Sequence, residues 1–150
     1  MATTAHMTTI TPREAEQVER ANASGKTPVV FIHGLWLLPS SWDRWAEMFE
    51  EAGYAAVTPS WPDDPETIDE ARAHPEVFAG KTLGQVADHV AEVIDALTKK
   101  PVVMGHSTGG LLAQIIADRG CRSPRWPSTR GPSEASCRSR SRRCAPRLRC

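Results

Sequence analysis

The sequence predicts an α/β fold: a three-layer parallel sheet of the α/β type, incomplete, followed by a disordered basic C-terminal tail. Three observations predict it. Short apolar, β-branched runs alternate with segments of helical periodicity, glycine-bearing turns close two of those runs, and the composition breaks abruptly at Arg119. Strands buried on both faces read as continuous apolar runs, and strand–helix alternation gives right-handed crossovers with helices on both faces of a parallel sheet.

The first element in chain order lies in a polar N-terminal extension, residues 1–27, where at most one short helix is expected: Pro12 starts the run Arg13 to Ala23, and Ser24-Gly25 ends it. No chemistry is expected there. The domain proper spans residues 28–118. Pro28-Val29-Val30-Phe31-Ile32 is a short apolar run closed by His33-Gly34, the profile of a buried parallel strand. A helix is expected from Ser40, with Asp43 as a capping partner and Trp42, Trp45 and Phe49 on one face, stopped by Gly53. A second strand, Tyr54 to Thr58, leads into a proline-punctuated loop with one helical turn that reaches Thr82. From Leu83 to Leu97 apolar residues recur at three and four, with Asp88, Glu92 and Asp95 on the solvated face. Pro101-Val102-Val103-Met104 is the third strand, and Gly105 to Gly110 turn it into an apolar helix through Leu111, Leu112, Ile115 and Ile116.

Composition bounds the function. The 150 residues carry 18 Lys+Arg and 18 Asp+Glu, with 40% hydrophobic and 24% charged residues, which excludes collagen, wholesale disorder and a coiled coil. The zero net charge hides two unlike parts: residues 1–118 hold 8 basic and 17 acidic side chains, net −9, whereas residues 119–150 hold 10 Arg and one Glu, net +9. In that tail 24 of 32 residues are Arg, Ser, Pro or Cys, too few apolar groups to offset the entropy of ordering. All four cysteines, Cys121, Cys137, Cys144 and Cys150, lie there without a CxxC pair or a following His, so no metal site is expected. The acidic remainder argues against a nucleic-acid partner, although an arginine-rich arm alone could release phosphate counterions. The longest apolar stretch, Pro28 to Pro39, is far short of the roughly 18–20 residues of a membrane span. No basic segment with an apolar core opens the chain, so a cytoplasmic location is the expectation.

Chemistry enters at Gly105-His106-Ser107-Thr108-Gly109, which matches the nucleophile-elbow pattern GxSxG in its required context, strand before and helix after. Such a turn projects the serine hydroxyl above the sheet edge, and glycines at 105 and 109 let neighbouring backbone pass closely. Phosphate binding is disfavoured, since no Lys-Ser/Thr pair opens the helix and GxGxxG is absent. His33-Gly34-Leu35-Trp36, after the first strand, is the second signal. Acyl transfer needs two donors aimed where an oxyanion develops, and the Leu35 and Thr108 amides are the candidates. His33 is expected to brace the loop rather than act as a base, His106 to point away from the reaction face, and Trp36 to line the acyl pocket. His6, His74 and His89 read as surface residues.

These residues together resemble the α/β-hydrolase family, over roughly Thr27 to Ala117, in particular its small bacterial esterase and lysophospholipase-like members. The resemblance implies hydrolysis of an ester, thioester or lactone in a small-molecule substrate, through a serine acyl-enzyme on Ser107, with no cofactor. The departures are equally specific. In the family the order along the chain is Ser, then acid, then His. After Ser107 this chain has only Asp118 and Glu134 as acids and no histidine, so the serine lacks its usual base and the chain is expected to be inactive. The third strand is also left exposed where later strands would pair. A reading-frame shift near Arg119 would account for the break: shifted by one base, Trp126-Pro127 must encode Ala. Arg125-Trp126, like the codon boundary before each Cys, gives Leu, Met or Val. The rival functions are a non-catalytic ligand-binding protein that keeps the fold and a basic-tailed interaction protein. The sequence sets no oligomeric state.

Overall fold

The computed structural model of the chain describes residues 10–120. His6, the four cysteines, Glu134 and the tail expected to be disordered and out of frame lie outside the described residues. Eight elements follow one another: α1 (Pro12–Ser24), β1 (Thr27–Ile32), α2 (Asp43–Glu51), β2 (Tyr54–Val57), α3 (Ile68–Ala73), α4 (Leu83–Asp95), β3 (Val102–Gly105) and α5 (Thr108–Gly120), with 3₁₀ turns at Pro39–Trp42 and Pro75–Phe78. The last helix runs two residues past the expected boundary of residue 118, through Arg119 and Gly120.

The three strands form one parallel sheet in the order β2-β1-β3. β1 is central, and every residue from Pro28 to Ile32 is buried, as a continuous apolar run requires. Its register places Val29 opposite both Ala56 and Val102. Because the strand order reverses at β1, right-handed crossovers put the intervening helices on opposite faces. On one face Val30, Ile32 and Val57 pack with Val18 and Ala21 of α1, Val86, Val90 and Val93 of α4, and Leu112 and Ile116 of α5. On the other, Val29, Phe31 and Ala56 meet Trp42, Ala46 and Phe49. Phe31 anchors that layer, with its ring centroid 5.0 Å from Trp42 and 5.4 Å, edge-on, from Phe49.

Three sequence expectations change, and the helix expected after Pro12 forms but also joins the core. Ser40 and Asp43 form no capping box; the chain enters α2 through the Pro39–Trp42 3₁₀ turn. Trp45 is 48% exposed, and Ala46, partly buried, packs against the core between Trp42 and Phe49 instead. The segment expected to carry no chemistry supplies α1, whose Thr11–Glu14 capping box fixes its start and whose Val18 and Ala21 enter the core. His89 is not a surface residue: it is 2% exposed, and its Nε2 lies 2.9 Å from Oε1 of the fully buried Glu14. Glu14 also accepts from Thr11 N and Oγ1 and from Ser60 N, each at 2.8 Å. α1 therefore pins the exit of β2, where Arg13 binds Thr58 O at 2.7 Å and Gln17 Oε1 accepts from Thr58 N at 2.9 Å.

Candidate active site

In open parallel sheets a ligand crevice forms at the carboxyl ends of the strands where the order reverses. Here that place lies between the loops after β1 and β3. β3 ends at Gly105, and α5 begins at Thr108. Between them Ser107 takes φ +56°, a left-handed conformation that costs a non-glycine residue about 1–2 kcal/mol. The turn is held by Gly109 N donating to His106 O and Gly110 N to Ser107 O, both at 2.9 Å. His106 N reaches across to Ile32 O of β1 at 3.2 Å. A Cβ on Gly105 would stand 2.0 Å from Gly109 O, and one on Gly109 would stand 2.1 Å from Ile32 O. Both positions therefore admit only glycine, because backbone cannot yield that distance.

The β1 loop meets the elbow directly. A Cβ on Gly34 would lie 3.2 Å from Ser107 Cβ, so the Gly34 backbone sits against the serine. Gly34 O accepts from Leu37 N at 3.2 Å, closing a turn in which Trp36 takes φ +63°. The same carbonyl lies 3.0 Å from His33 Nδ1. Since a carbonyl only accepts, Nδ1 carries the proton in that bond. His33 is 1% exposed and stacked on Trp61 at 5.6 Å, with Nε2 3.3 Å from Asp64 Oδ2 but not aligned for a hydrogen bond. Asp64 in turn holds Lys81 at 2.7 Å and accepts from Trp61 N at 3.2 Å.

The site residues singled out in the sequence all lie among the described residues and have positions. Ser107 and His106 are exposed at the end of the sheet, and Gly34, Gly105 and Gly109 supply its close backbone contacts. Among the described residues neither the Leu35 nor the Thr108 amide meets an acceptor, as first-turn and tight-loop N–H groups do not. Trp36 is 74% exposed and lines a groove of about 480 Å³ with Leu37, Leu38, Ile68, Arg72 and Phe78. His106 lines a smaller one, about 310 Å³, with Leu37, Trp42 and Trp45. His74 pairs with Glu76 on the surface. Asp64, Lys81 and Trp61 were invisible in the sequence because they join the site only through tertiary contact. Among the described residues no cluster of three or more His, Cys, Asp or Glu could hold a metal ion, and no helix is long and apolar enough to cross a membrane.

No curated protein and no solved structure matches the chain. A family model described as the alpha/beta hydrolase family matches residues 29–140, a span that holds most of β1, the Gly34 loop, the elbow and α5 and continues past Arg119. With that match over 112 of 150 residues, and with a parallel sheet whose central strand and serine turn meet at one end, this chain belongs to the alpha/beta hydrolase family.

Proposed function

We propose that Ser107 is the nucleophile of an acyl-transfer hydrolase acting on an ester, thioester or lactone. The observation that carries this reading is Ser107 held at φ +56° between β3 and α5, at the strand-order reversal and against Gly34. In the reaction Ser107 Oγ attacks the substrate carbonyl carbon, and its proton passes by way of a base to the leaving oxygen or sulfur as that bond breaks. Water then cleaves the acyl-enzyme and restores the hydroxyl. The carbonyl oxygen turns negative in both steps, and the Leu35 and Thr108 amides are the proposed donors, helped by the positive end of α5. The apolar groove beside Trp36 is the proposed seat of the acyl group.

The base is missing from the proposed machinery. All five histidines precede Ser107 in the chain; among the described four, His33 faces Gly34 O, His74 faces Glu76, and His89 faces Glu14, while His106 lines the aromatic groove. We therefore expect the chain as written to react only slowly. The test is a fluorophosphonate probe read by intact mass: faint labelling confined to Ser107 is the expected result. Rapid labelling abolished by Ser107→Ala would show that a base is present after all, and labelling elsewhere with none at Ser107 would sink the reading.

The missing base also favours a second reading, a binding protein that keeps the crevice without turnover. Saturable binding of an ester analogue that survives Ser107→Ala would support it. For the tail, the composition break speaks for a frame shift and the family match through residue 140 speaks against one. Resequencing the DNA across codons 115–125 decides it: an inserted or missing base confirms the shift, and an unchanged frame removes it.

A further inference from the structure

We infer that Asp64 and Lys81 are positioning residues for the loop that carries the Leu35 amide, acting through His33. The inference rests on the proposed role of Ser107 but is read from groups that role does not use. Three stretches far apart in sequence converge here. Lys81 precedes α4, Asp64 lies in the loop after β2, and His33 follows the central strand. All three side chains are buried, at 9%, 1% and 1% exposure.

The geometry gives the chain of action. Lys81 Nζ lies 2.7 Å from Asp64 Oδ1, while Asp64 Oδ2 accepts from Trp61 N at 3.2 Å and stands 3.3 Å from His33 Nε2. Asp64 is thus fixed from two sides and presents its second oxygen to the imidazole. The ring stacks on Trp61 with its Nε2 edge against that oxygen, without a hydrogen bond between them, and its far nitrogen, Nδ1, holds Gly34 O at 3.0 Å. A peptide group is planar and trans, so fixing the Gly34 carbonyl turns the Leu35 N–H to the opposite side. Gly34 is also the residue against which Ser107 Cβ sits. A purely structural ion pair has no need to end on that carbonyl. A lysine this deeply buried is unusual, and pairing is the physical condition for it.

The test is solution NMR on the whole chain. In the wild type, a long-range ¹H–¹⁵N spectrum is expected to show His33 Nδ1 protonated, and an unprotonated Nδ1 would overturn the inference. In Lys81→Met and Asp64→Asn the His33 nitrogen signals are expected to move. The Leu37 amide, which shares the Gly34 carbonyl, is expected to exchange at least tenfold faster while Val30 in the central strand stays protected; Lys81→Arg is expected to restore the wild-type pattern. Wild-type His33 and Leu37 behaviour in both folded variants would overturn the inference, as would Leu37 and Val30 losing protection together. Phenylboronic acid separates this from the reading it rests on. If it fails to shift the Leu35 and Thr108 amides of the wild type, the role of Ser107 falls, and the unliganded spectra still decide the role of Asp64 and Lys81.

Discussion

Two buried carboxylates sit one peptide apart in their contacts and serve different ends. Ser60 N donates to Glu14, and the next amide, Trp61 N, donates to Asp64. The Glu14 cluster is saturated with donors and runs into helices α1 and α4. The Asp64 cluster runs instead into the β1 loop and stops at the serine. Backbone strain follows the same division. The three non-glycine residues with positive φ among those described are Trp36, Asp63 and Ser107, all in the loops around Asp64 and the elbow, and none in the elements that surround Glu14. Strained loops need a bracing network of their own, whereas relaxed helices need only their buried groups satisfied.

The largest expected effects come from removing one partner of either pair. His89→Leu leaves the buried Glu14 carboxylate without its imidazole partner, and Lys81→Met leaves the buried Asp64 carboxylate without its cation. Each should cost about 3–5 kcal/mol in urea denaturation. The comparison predicts a split under native conditions: folded His89→Leu keeps the fluorophosphonate rate of the wild type at Ser107, and folded Lys81→Met does not. Equal slowing in both would erase the distinction between the clusters.

A smaller effect comes from pH. Burial pushes the Glu14 carboxyl up, but the His89 hydrogen bond, the Thr11 amide, the His89 charge and the Ser60 amide outweigh it, and the net position is below the ordinary 4.5. A carboxyl that is more acidic in the folded than in the unfolded chain contributes stability above 4.5, and this is lost as pH falls through the lowered folded value. Denaturation midpoints should therefore drop below pH 4.5, less steeply in Glu14→Gln. Parallel slopes would show that Glu14 is not the group responsible.

The smallest change is a gain. Ser107→Gly relieves the left-handed φ of the elbow and should stabilise the fold by about 1 kcal/mol while removing all probe labelling. A loss of stability instead would mean that the turn is unstrained, and the contrast between the two regions would lose its energetic basis.

Much of this was legible in the sequence, for identifiable reasons. Pro28 to Ile32 could be read because a strand buried on both faces has no polar alternation, and Ser107 because its glycines and flanking apolar runs are local. His89 also left a signal: it falls three residues after Val86 and four before Val93, on the apolar face of α4, where a buried histidine demands a partner. That partner, Glu14, lies 75 residues away and no local pattern reveals it. Trp45 misled because the 3₁₀ turn before α2 shifts which residues share a face. Asp64 and Lys81 stood in a polar, proline-rich stretch where two charges ordinarily mean solvent.

The contact between Gly109 and the Ile32 carbonyl carries one more consequence. The β1 and β3 loops touch through main chain, with His106 N bonded to the same Ile32 carbonyl. The two arms of the crevice are therefore joined backbone to backbone, and their spacing is set by main-chain contact and a main-chain hydrogen bond rather than by side-chain packing. Changing the Thr108 or Trp36 side chain, neither of which makes that main-chain contact, should therefore leave the distance between the arms unchanged.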